Sequence, residues 1–295
     1  MKKIITLFVA LALSHVASAG TTKQNQTIQD QGITRTYHLY VPDNLPAGAP
    51  LVFILHGYSA KPDNAYNYLK NTSIQKFKTL ADERKVLLCY PQASLDPAGY
   101  YGWNVYYPKQ IAASNWKIDD CEFICTLAKH LQSTYNVSAK NVFLTGMSNG
   151  GEMCYLMAYR KPKEFAAIAS MAGLTLVEMA KRHDYTEPVA FMEVHGTGDT
   201  TSRWEGDPTN QYGWGAYLSV PVAVGAVAAA NKCMYEETSE LQVIKNRVIF
   251  HRYYGAPSGK EVHFYEVRNG GHDWATDSFD SCTVIMDFFK QYMSK

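Results

Sequence analysis

A short glycine-flanked motif in the middle of the chain contains the residue best suited to nucleophilic chemistry. The stretch Gly146-Met147-Ser148-Asn149-Gly150 matches the pattern G-x-S-x-G, in which a serine stands on a sharp turn between a strand and a helix. An apolar run precedes the motif and a helix-like stretch follows it, so the context agrees with the pattern. Because a serine hydroxyl is a weak nucleophile, it needs a base to take its proton and an acid to orient that base.

Two glycine-lined loops supply an acid and a base in the order that such a site requires. One apolar run is followed by the letters HGTGD, which end at Asp199, and a later run is followed by NGGHDW, which contain His272. The order serine, acid, histidine, with each residue just beyond a strand, is the one found in open sheets with this serine motif. The sequence therefore predicts Ser148, Asp199 and His272 as the catalytic residues of an acyl-transfer site.

Other titratable residues near these loops have alternative interpretations. Glu205, six residues after Asp199, is the second candidate for the acid. His195 lies at the end of its predicted strand and is interpreted as a brace for the loop. His251 and His263 lie inside strand-like runs, where a structural role is expected.

An ester hydrolase also needs hydrogen-bond donors for the tetrahedral oxyanion. The backbone N–H of Asn149 follows the nucleophile directly and lies at the positive end of the predicted helix. The second donor is expected in the loop His56-Gly57-Tyr58, which follows an early apolar run. We predict the Tyr58 N–H, with Gly57 allowing a close approach of the chain to the ester.

The elements that must position these residues alternate between strands and helices. Runs typical of strands cover residues 34–41, 51–55, 86–90, 142–144, 165–171, 189–194, 248–254 and 262–267. Helical spacing covers residues 119–135, 149–159, 220–231 and about 279–293. Strands separated by helices indicate an α/β fold with a mostly parallel central sheet and helices on both faces. We find no repeat or linker, so residues 20–295 are predicted to form a single catalytic domain.

The charge balance and the first residues bound the class of protein. With 28 basic and 27 acidic residues among 295, the chain has no electrostatic field of one sign, and nucleic-acid binding is not expected.

The first residues have the order of a secretory signal peptide: Lys2 and Lys3, then an apolar run 4–13, then the small residues 17–19. Residues 1–19 are therefore expected to be removed, and the mature chain to be secreted or periplasmic, without a membrane span.

The chain has six cysteines, and disulfides are permitted between cysteines of an exported protein. Cys89 lies in an apolar run and is expected to be a buried thiol. Cys233 and Cys282 flank the C-terminal region and are the pair predicted to form a bridge. Cys121 and Cys125 have no matching second pair at zinc-ribbon spacing, so no structural metal is expected.

Taken together, these motifs resemble carbohydrate esterase family 1 of the α/β-hydrolase superfamily. The resemblance rests on the letters LHG at residues 55–57, IDD at 118–120, GMSNGG at 146–151, HGT leading to Asp199, and GGHDW at 270–274. It implies a cofactor-free serine esterase, an acetylxylan or feruloyl esterase, that acts on acylated plant cell-wall polysaccharide or oligosaccharide. Extracellular polyhydroxybutyrate depolymerases are relatives of that group.

Tryptophans are the predicted substrate-binding residues, because an indole ring can stack on a sugar or on an aromatic acyl group. Trp274 lies two residues from the predicted base, and Trp103 and Trp204 lie in other loops. The loop 204–217 is longer and more aromatic than the resemblance leads us to expect. The sequence of this loop does not determine whether the acyl group is acetyl or feruloyl.

Alternative functions remain open from the sequence. A polyhydroxybutyrate depolymerase-like esterase is less favoured, because no linker or polymer-binding module follows the catalytic region. A peptidase with the same triad and a non-catalytic carbohydrate-binding protein on a hydrolase scaffold are the other candidates.

Overall fold

The computed structural model describes residues 20–108, 117–241, 243 and 245–294. The predicted signal peptide, residues 1–19, lies outside the described residues. The described strands are β1 Thr21–Asp30, β2 Ile33–Val41, β3 Leu51–Leu55, β4 Leu87–Pro91, β5 Val142–Met147, β6 Ala167–Met171, β7 Phe191–Gly196, β8 Tyr235–Leu241, β9 Val248–Tyr254 and β10 Val262–Val267. The α-helices are α1 Asn64–Lys70, α2 Lys76–Arg84, α3 Asp120–Tyr135, α4 Asn149–Arg160, α5 Val177–Arg182, α6 Val220–Ala230 and α7 Ser281–Gln291.

All of these strands join one sheet, in the order β1-β2-β4-β3-β5-β6-β7-β10-β9-β8. Its centre, from β4 to β10, is parallel, whereas β1, β2, β8 and β9 pair antiparallel at the two ends. Parallel strands need crossover helices on the faces of the sheet. The predicted α/β-hydrolase fold, with a mostly parallel sheet between helices, is confirmed.

The core has one apolar layer on each face of the sheet, and the alternation of side chains along β3 illustrates why. Leu51, Phe53 and Leu55 belong to the layer that also contains residues of α3, α4 and α6. Val52 and Ile54 belong to the opposite layer, with residues of α1, α2 and α7. Since successive side chains of a strand point to opposite faces, a continuous apolar run is what a strand buried on both sides requires.

A buried ion pair connects the start of α3 to β2. The Arg35 Nη2 atom lies 2.7 Å from Asp120 Oδ1, with the two side chains 2% and 1% exposed. The other Asp120 oxygen accepts the Asn104 N–H at 2.8 Å, and the Arg35 guanidinium lies 3.7 Å from the centre of the Phe123 ring. Asp120 therefore ties the loop that contains Asn104 to the sheet.

The predicted disulfide between Cys233 and Cys282 is wrong, because all six cysteines are free thiols. Cys233 packs against the core layer of α6, whereas Cys282 is buried in the layer of α7. The sheet lies between the two layers, so the sulfurs cannot meet. Cys89 is a buried thiol in β4, as the sequence predicted.

Two strands at the edges of the sheet are missing from the sequence prediction. The side chains of β1 and β8 are mostly exposed, and both strands consist largely of polar and charged residues such as the TTKQNQ of β1 and the EETSE of β8. Their pairing depends on backbone hydrogen bonds to β2 and β9. An edge strand with little buried surface has no apolar period from which it could be predicted.

Candidate active site

Ser148 occupies the sharp turn between β5 and α4. Its φ of 57° and ψ of −124° put a side-chain-bearing residue in a conformation that L-residues rarely adopt. The flanking glycines make the turn possible. A Cβ atom on Gly146 would lie 2.6 Å from the Gly150 carbonyl oxygen, and a Cβ on Gly150 would lie 2.5 Å from the Leu55 carbonyl oxygen. The Ser148 N–H donates to the Met171 carbonyl at 2.9 Å, which holds the turn against β6.

Asp199 and His272 lie beyond the ends of the neighbouring parallel strands β7 and β10 and contact each other directly. His272 Nδ1 lies 2.7 Å from Asp199 Oδ2, and because a carboxylate only accepts, the imidazole donates this bond. The other Asp199 oxygen accepts the N–H groups of Thr201 and Ser202, each at 2.8 Å. The Asp199 side chain is fully buried, whereas that of His272 is 21% exposed. A buried acid thus orients a histidine that still reaches a cavity.

That cavity, which we call the catalytic cavity, has a volume of about 240 Å³ and brings Ser148 and His272 together. Its remaining lining residues are Tyr58, Tyr107, Glu152, Leu174, Thr201, Ser202 and Trp214. The catalytic cavity therefore combines the predicted nucleophile and base with three aromatic side chains.

The loop after β3 approaches the nucleophile closely. The Cβ of Ser148 is 3.3 Å from the position that a Cβ on Gly57 would take. The Gly57 N–H donates to the Tyr68 hydroxyl at 3.0 Å. Among the described residues, the N–H groups of Tyr58 and Asn149 have no hydrogen-bond partner. Tyr58 lines the same cavity as Ser148, and Asn149 follows Ser148 directly in the chain, so their N–H groups stay the predicted oxyanion donors.

Hydrogen bonds of His56 hold this loop in place. Its Nε2 accepts the Ala93 N–H at 3.0 Å, so the proton must be on Nδ1, which donates to the Gly57 carbonyl at 2.8 Å. Burial lowers the pKa of His56 to about 4, so the ring is neutral at physiological pH. The Trp103 indole N–H donates to the His56 carbonyl at 2.9 Å. The loop is therefore held by a neutral, fully bonded network.

Glu152 is a member of the catalytic cavity that the sequence prediction missed. It lies one helical turn after Ser148 on α4, and that spacing is the signal that could have found it. Its carboxyl accepts bonds from the Tyr107 hydroxyl and from Asn149 Nδ2. Burial raises the pKa of Glu152 to about 7, although these two hydrogen bonds oppose the shift. Asn149 Oδ1 in turn accepts the Trp103 N–H at 2.6 Å.

Among the described residues, Trp214 is the tryptophan that lines the catalytic cavity. The aromatic loop 204–217 is the feature of the sequence that could have indicated it. Asp207 anchors the loop by accepting the N–H groups of Gln211 and Tyr212, each at 2.8 Å. Asn210 accepts the Gly215 N–H at 2.8 Å. These bonds hold the segment on which Trp214 lies.

Two of the three tryptophans predicted to bind substrate, Trp103 and Trp274, are buried and do not line the catalytic cavity, so those two predictions are wrong. Trp103 is 1% exposed and belongs to the core. Trp274 is 4% exposed and packs edge-on against Phe77, with the ring centres 5.8 Å apart. Trp204 stacks on Phe264 at 5.5 Å. The Trp103 and Trp274 rings are enclosed by protein contacts, whereas Trp204 is half-buried and does not line the catalytic cavity, so its role stays a prediction.

Glu205, the second candidate for the acid, and the neighbouring His195 do not line the catalytic cavity. Glu205 is exposed, whereas the His272 ring is bonded to Asp199. His195 is fully buried, lies 3.7 Å from Asp199 and does not line the catalytic cavity. Within the described part of the chain, no cluster of His, Cys, Asp and Glu could hold a metal ion. Likewise, no helix in that part is long and apolar enough to cross a membrane.

Comparison with known proteins gives a family match and several relatives. Residues 35–201 match the family described as Esterase PHB depolymerase. A bifunctional acetylxylan esterase/xylanase from Neocallimastix patriciarum is 27% identical over 61% of this chain, which spans about a quarter of that protein (24%). A probable feruloyl esterase C from Aspergillus niger is 27% identical over 70% of this chain and 73% of that protein.

Solved structures share the fold. An acetyl xylan esterase from Aspergillus awamori superposes with a TM-score of 0.60 at 17% identity, covering 92% of this chain and 99% of that one. The feruloyl esterase module from Clostridium thermocellum superposes with a TM-score of 0.58 at 10% identity, covering 94% and 90%. At these identities the superpositions show a common fold.

Proposed function

This chain belongs to the Esterase PHB depolymerase family of carboxylic ester hydrolases, and on that premise we propose that it is a secreted serine esterase in which Ser148, His272 and Asp199 form the catalytic triad. The observation that carries the proposal is the 2.7 Å bond from His272 to the buried Asp199, in a cavity that His272 shares with Ser148. An oriented histidine beside a serine on a strained turn is the arrangement that activates a hydroxyl.

The proposed reaction has two halves. Ser148 Oγ attacks the ester carbonyl carbon while His272 takes the hydroxyl proton, and the resulting oxyanion accepts the N–H groups of Tyr58 and Asn149. The tetrahedral intermediate then expels the alcohol, which takes its proton from His272, and an acyl-enzyme remains. Water, deprotonated by His272, attacks the acyl-enzyme and releases the carboxylic acid and the free serine. The chemistry needs no cofactor.

The proposed substrates are acetyl or feruloyl esters of plant cell-wall xylan or its oligosaccharides. Two relatives are named as an acetylxylan esterase/xylanase and as a probable feruloyl esterase, which supports this class. The aromatic rings of Tyr58, Tyr107 and Trp214 in the catalytic cavity suit a flat acyl group or a sugar ring. Neither feature separates acetyl from feruloyl, so the acyl group is left to experiment.

Secretion or export to the periplasm is part of the same proposal. It rests on Lys2 and Lys3, the apolar run 4–13 and the small residues 17–19, which together have the order of a cleavable signal. We propose a mature chain that begins near Gly20 and forms a single catalytic domain over residues 20–295.

The experiment is a substrate panel on the mature chain and on its Ser148→Ala variant. The panel contains p-nitrophenyl acetate, methyl ferulate, acetylated xylan, polyhydroxybutyrate and a peptide amide. We expect ester turnover in the wild type and a loss of roughly 10⁶-fold in kcat in the variant. Labelling by a fluorophosphonate should occur in the wild type alone, with both proteins equally folded by circular dichroism.

Each part of the panel answers one alternative. Turnover of polyhydroxybutyrate above that of the xylan esters would favour a depolymerase, and turnover of the amide would favour a peptidase. A folded wild type that neither hydrolyses esters nor reacts with the fluorophosphonate would contradict the proposal and favour a binding protein. Retained turnover in Ser148→Ala would contradict the assignment of the nucleophile.

A further inference from the structure

A second histidine–carboxylate pair, His195 and Glu193, lies close to the proposed catalytic acid Asp199. His195 Nδ1 is 2.9 Å from Glu193 Oε1, and His195 Nε2 is 2.8 Å from the Ser202 carbonyl oxygen. The same Nε2 is 3.7 Å from Asp199 Oδ2, the oxygen that accepts the His272 bond. Asp199 therefore lies between two imidazole rings, one in the cavity and one in the core.

The hydrogen bonds fix protons on the inner ring. The Ser202 carbonyl only accepts, so His195 Nε2 must carry a proton. Glu193 Oε1 also accepts the Gly173 N–H at 3.3 Å. Where His195 Nδ1 donates to the same carboxyl oxygen, the ring carries both protons and is an imidazolium. Burial alone would lower the pKa of His195, but the bond to Glu193 and the charges of both carboxylates outweigh burial and raise it.

The pair of His195 and Glu193 is buried among other polar and aromatic side chains. The side chains of Glu193, His195 and Asp199 are all fully buried, so solvent does not screen their charges. Glu266 holds the paired position on β10 and is engaged by Arg268 and His251. Tyr155 of α4 lies near Glu193, and Trp204 packs edge-on against the His195 ring. Within the described part of the chain Glu193 Oε2 has no hydrogen-bond partner, so His195 is the group that compensates this buried carboxyl.

We propose that His195 and Glu193 are positioning residues that fix Asp199 and offset part of its negative charge. His195 holds the Ser202 carbonyl on the same turn whose N–H groups hold Asp199, so the ring braces the acid from behind. Its positive charge, 3.7 Å from the oxygen that His272 binds, weakens the pull of Asp199 on a proton at His272. The inference rests on the proposed function of the triad.

The test compares His195→Gln with the wild type over pH 4–9, with p-nitrophenyl acetate as substrate. Glutamine keeps a donor of similar length but cannot carry the charge. We expect the acid limb of the kcat/KM profile to move to higher pH by roughly one unit. On the plateau, kcat should fall roughly tenfold to a hundredfold because Asp199 loses its brace, while KM stays within threefold. NMR titration of the His272 ring without substrate should show the same displacement.

His263→Gln is the matched control, because His263 is also a mostly buried histidine bonded to a glutamate, with Nε2 3.0 Å from Glu261 Oε2. It makes no bond to Asp199, and its pH profile should equal that of the wild type. An unmoved acid limb in His195→Gln, or the same profile in both variants, would overturn the proposal. If His195→Gln does not fold, Glu193→Gln decides by the same measurements, since it removes the counter-ion that keeps the ring charged.

Failure of this inference is distinguishable from failure of the proposed function. Wild-type turnover and its loss in Ser148→Ala test the proposed function alone. The NMR titration reports on His195 and His272 without any turnover. An inactive wild type with a displaced His272 titration in His195→Gln would therefore refute the esterase and support the positioning pair.

Discussion

Replacing Asp199 by asparagine tests the proposed acid most sharply, because the change removes a charge and leaves the shape. Asp199 Oδ1 accepts two backbone N–H groups, from Thr201 and Ser202. An asparagine must keep its carbonyl oxygen there, since an amide N–H would face two other donors. Its NH₂ group is then aimed at His272 Nδ1, the atom that Asp199 Oδ2 now engages at 2.7 Å.

This forced orientation puts His272 in the wrong tautomer. Nδ1 must accept from the new amide, so the proton moves to Nε2, the nitrogen that has to take the proton of Ser148. In a serine hydrolase the same change of an aspartate to asparagine lowers kcat by about 10⁴-fold, which corresponds to roughly 5.4 kcal/mol of transition-state stabilisation. We expect the same magnitude for Asp199→Asn, with little change in KM.

The assay is p-nitrophenyl acetate hydrolysis, with the fraction of intact sites counted by fluorophosphonate labelling. Glu205→Gln is the control, because Glu205 is the alternative acid of the sequence and its side chain is exposed. It should keep kcat within twofold. If Asp199→Asn keeps more than a tenth of the wild-type kcat, or if Glu205→Gln loses activity instead, the reasoning about the acid is refuted.

Two further predictions concern stability. Asp120→Asn leaves Arg35 buried without its 2.7 Å counter-charge and should cost about 3–5 kcal/mol, measured as a lower urea midpoint at unchanged slope; a loss below about 1 kcal/mol would contradict it. Because the pKa of Glu152 is raised from 4.5 to about 7, the folded chain holds a proton that the unfolded chain has released. Its free energy of unfolding should therefore fall as pH rises from about 4.5 to 7, by about 1.4 kcal/mol per unit of pKa difference. Glu152→Gln should remove this slope in denaturation curves recorded between pH 4 and 8, and equal slopes in both proteins would count against the argument.

The sequence predicted the central strands because their composition reflects burial. The central strands 51–55 and 262–267 have the predicted bounds, and every residue of each is buried. The predicted acid and base, Asp199 and His272, are in contact, because residues that follow the ends of adjacent parallel strands meet at one edge of the sheet. Glycines follow the ends of these strands in the sequence. They therefore predict the loops at the edge of the sheet on which Asp199 and His272 lie.

The wall of the site could not be predicted in the same way. Trp103, Trp204 and Trp214 all lie in loops, and the sequence offers no period that tells which ring faces the cavity. Trp103 was excluded by two bonds that only the folded chain reveals, its indole N–H to His56 and its backbone N–H to Asn149. Burial of a loop side chain depends on contacts distant in sequence, so composition alone cannot assign it.

The place of β10 in the sheet has a consequence for how the chain acquires activity during synthesis. β10 lies between β7 and β9, and His272, which follows it, is separated from Asp199 by 73 positions in the chain. Chains emerge from the ribosome N-terminus first, so the proposed nucleophile and acid are synthesised before the proposed base. A growing or truncated chain that stops before β10 has no proposed base at its serine. Under the proposed function, ester turnover requires that β10 has joined the sheet. A fluorophosphonate pulse during synthesis would then mark the moment at which the C-terminal strands pair.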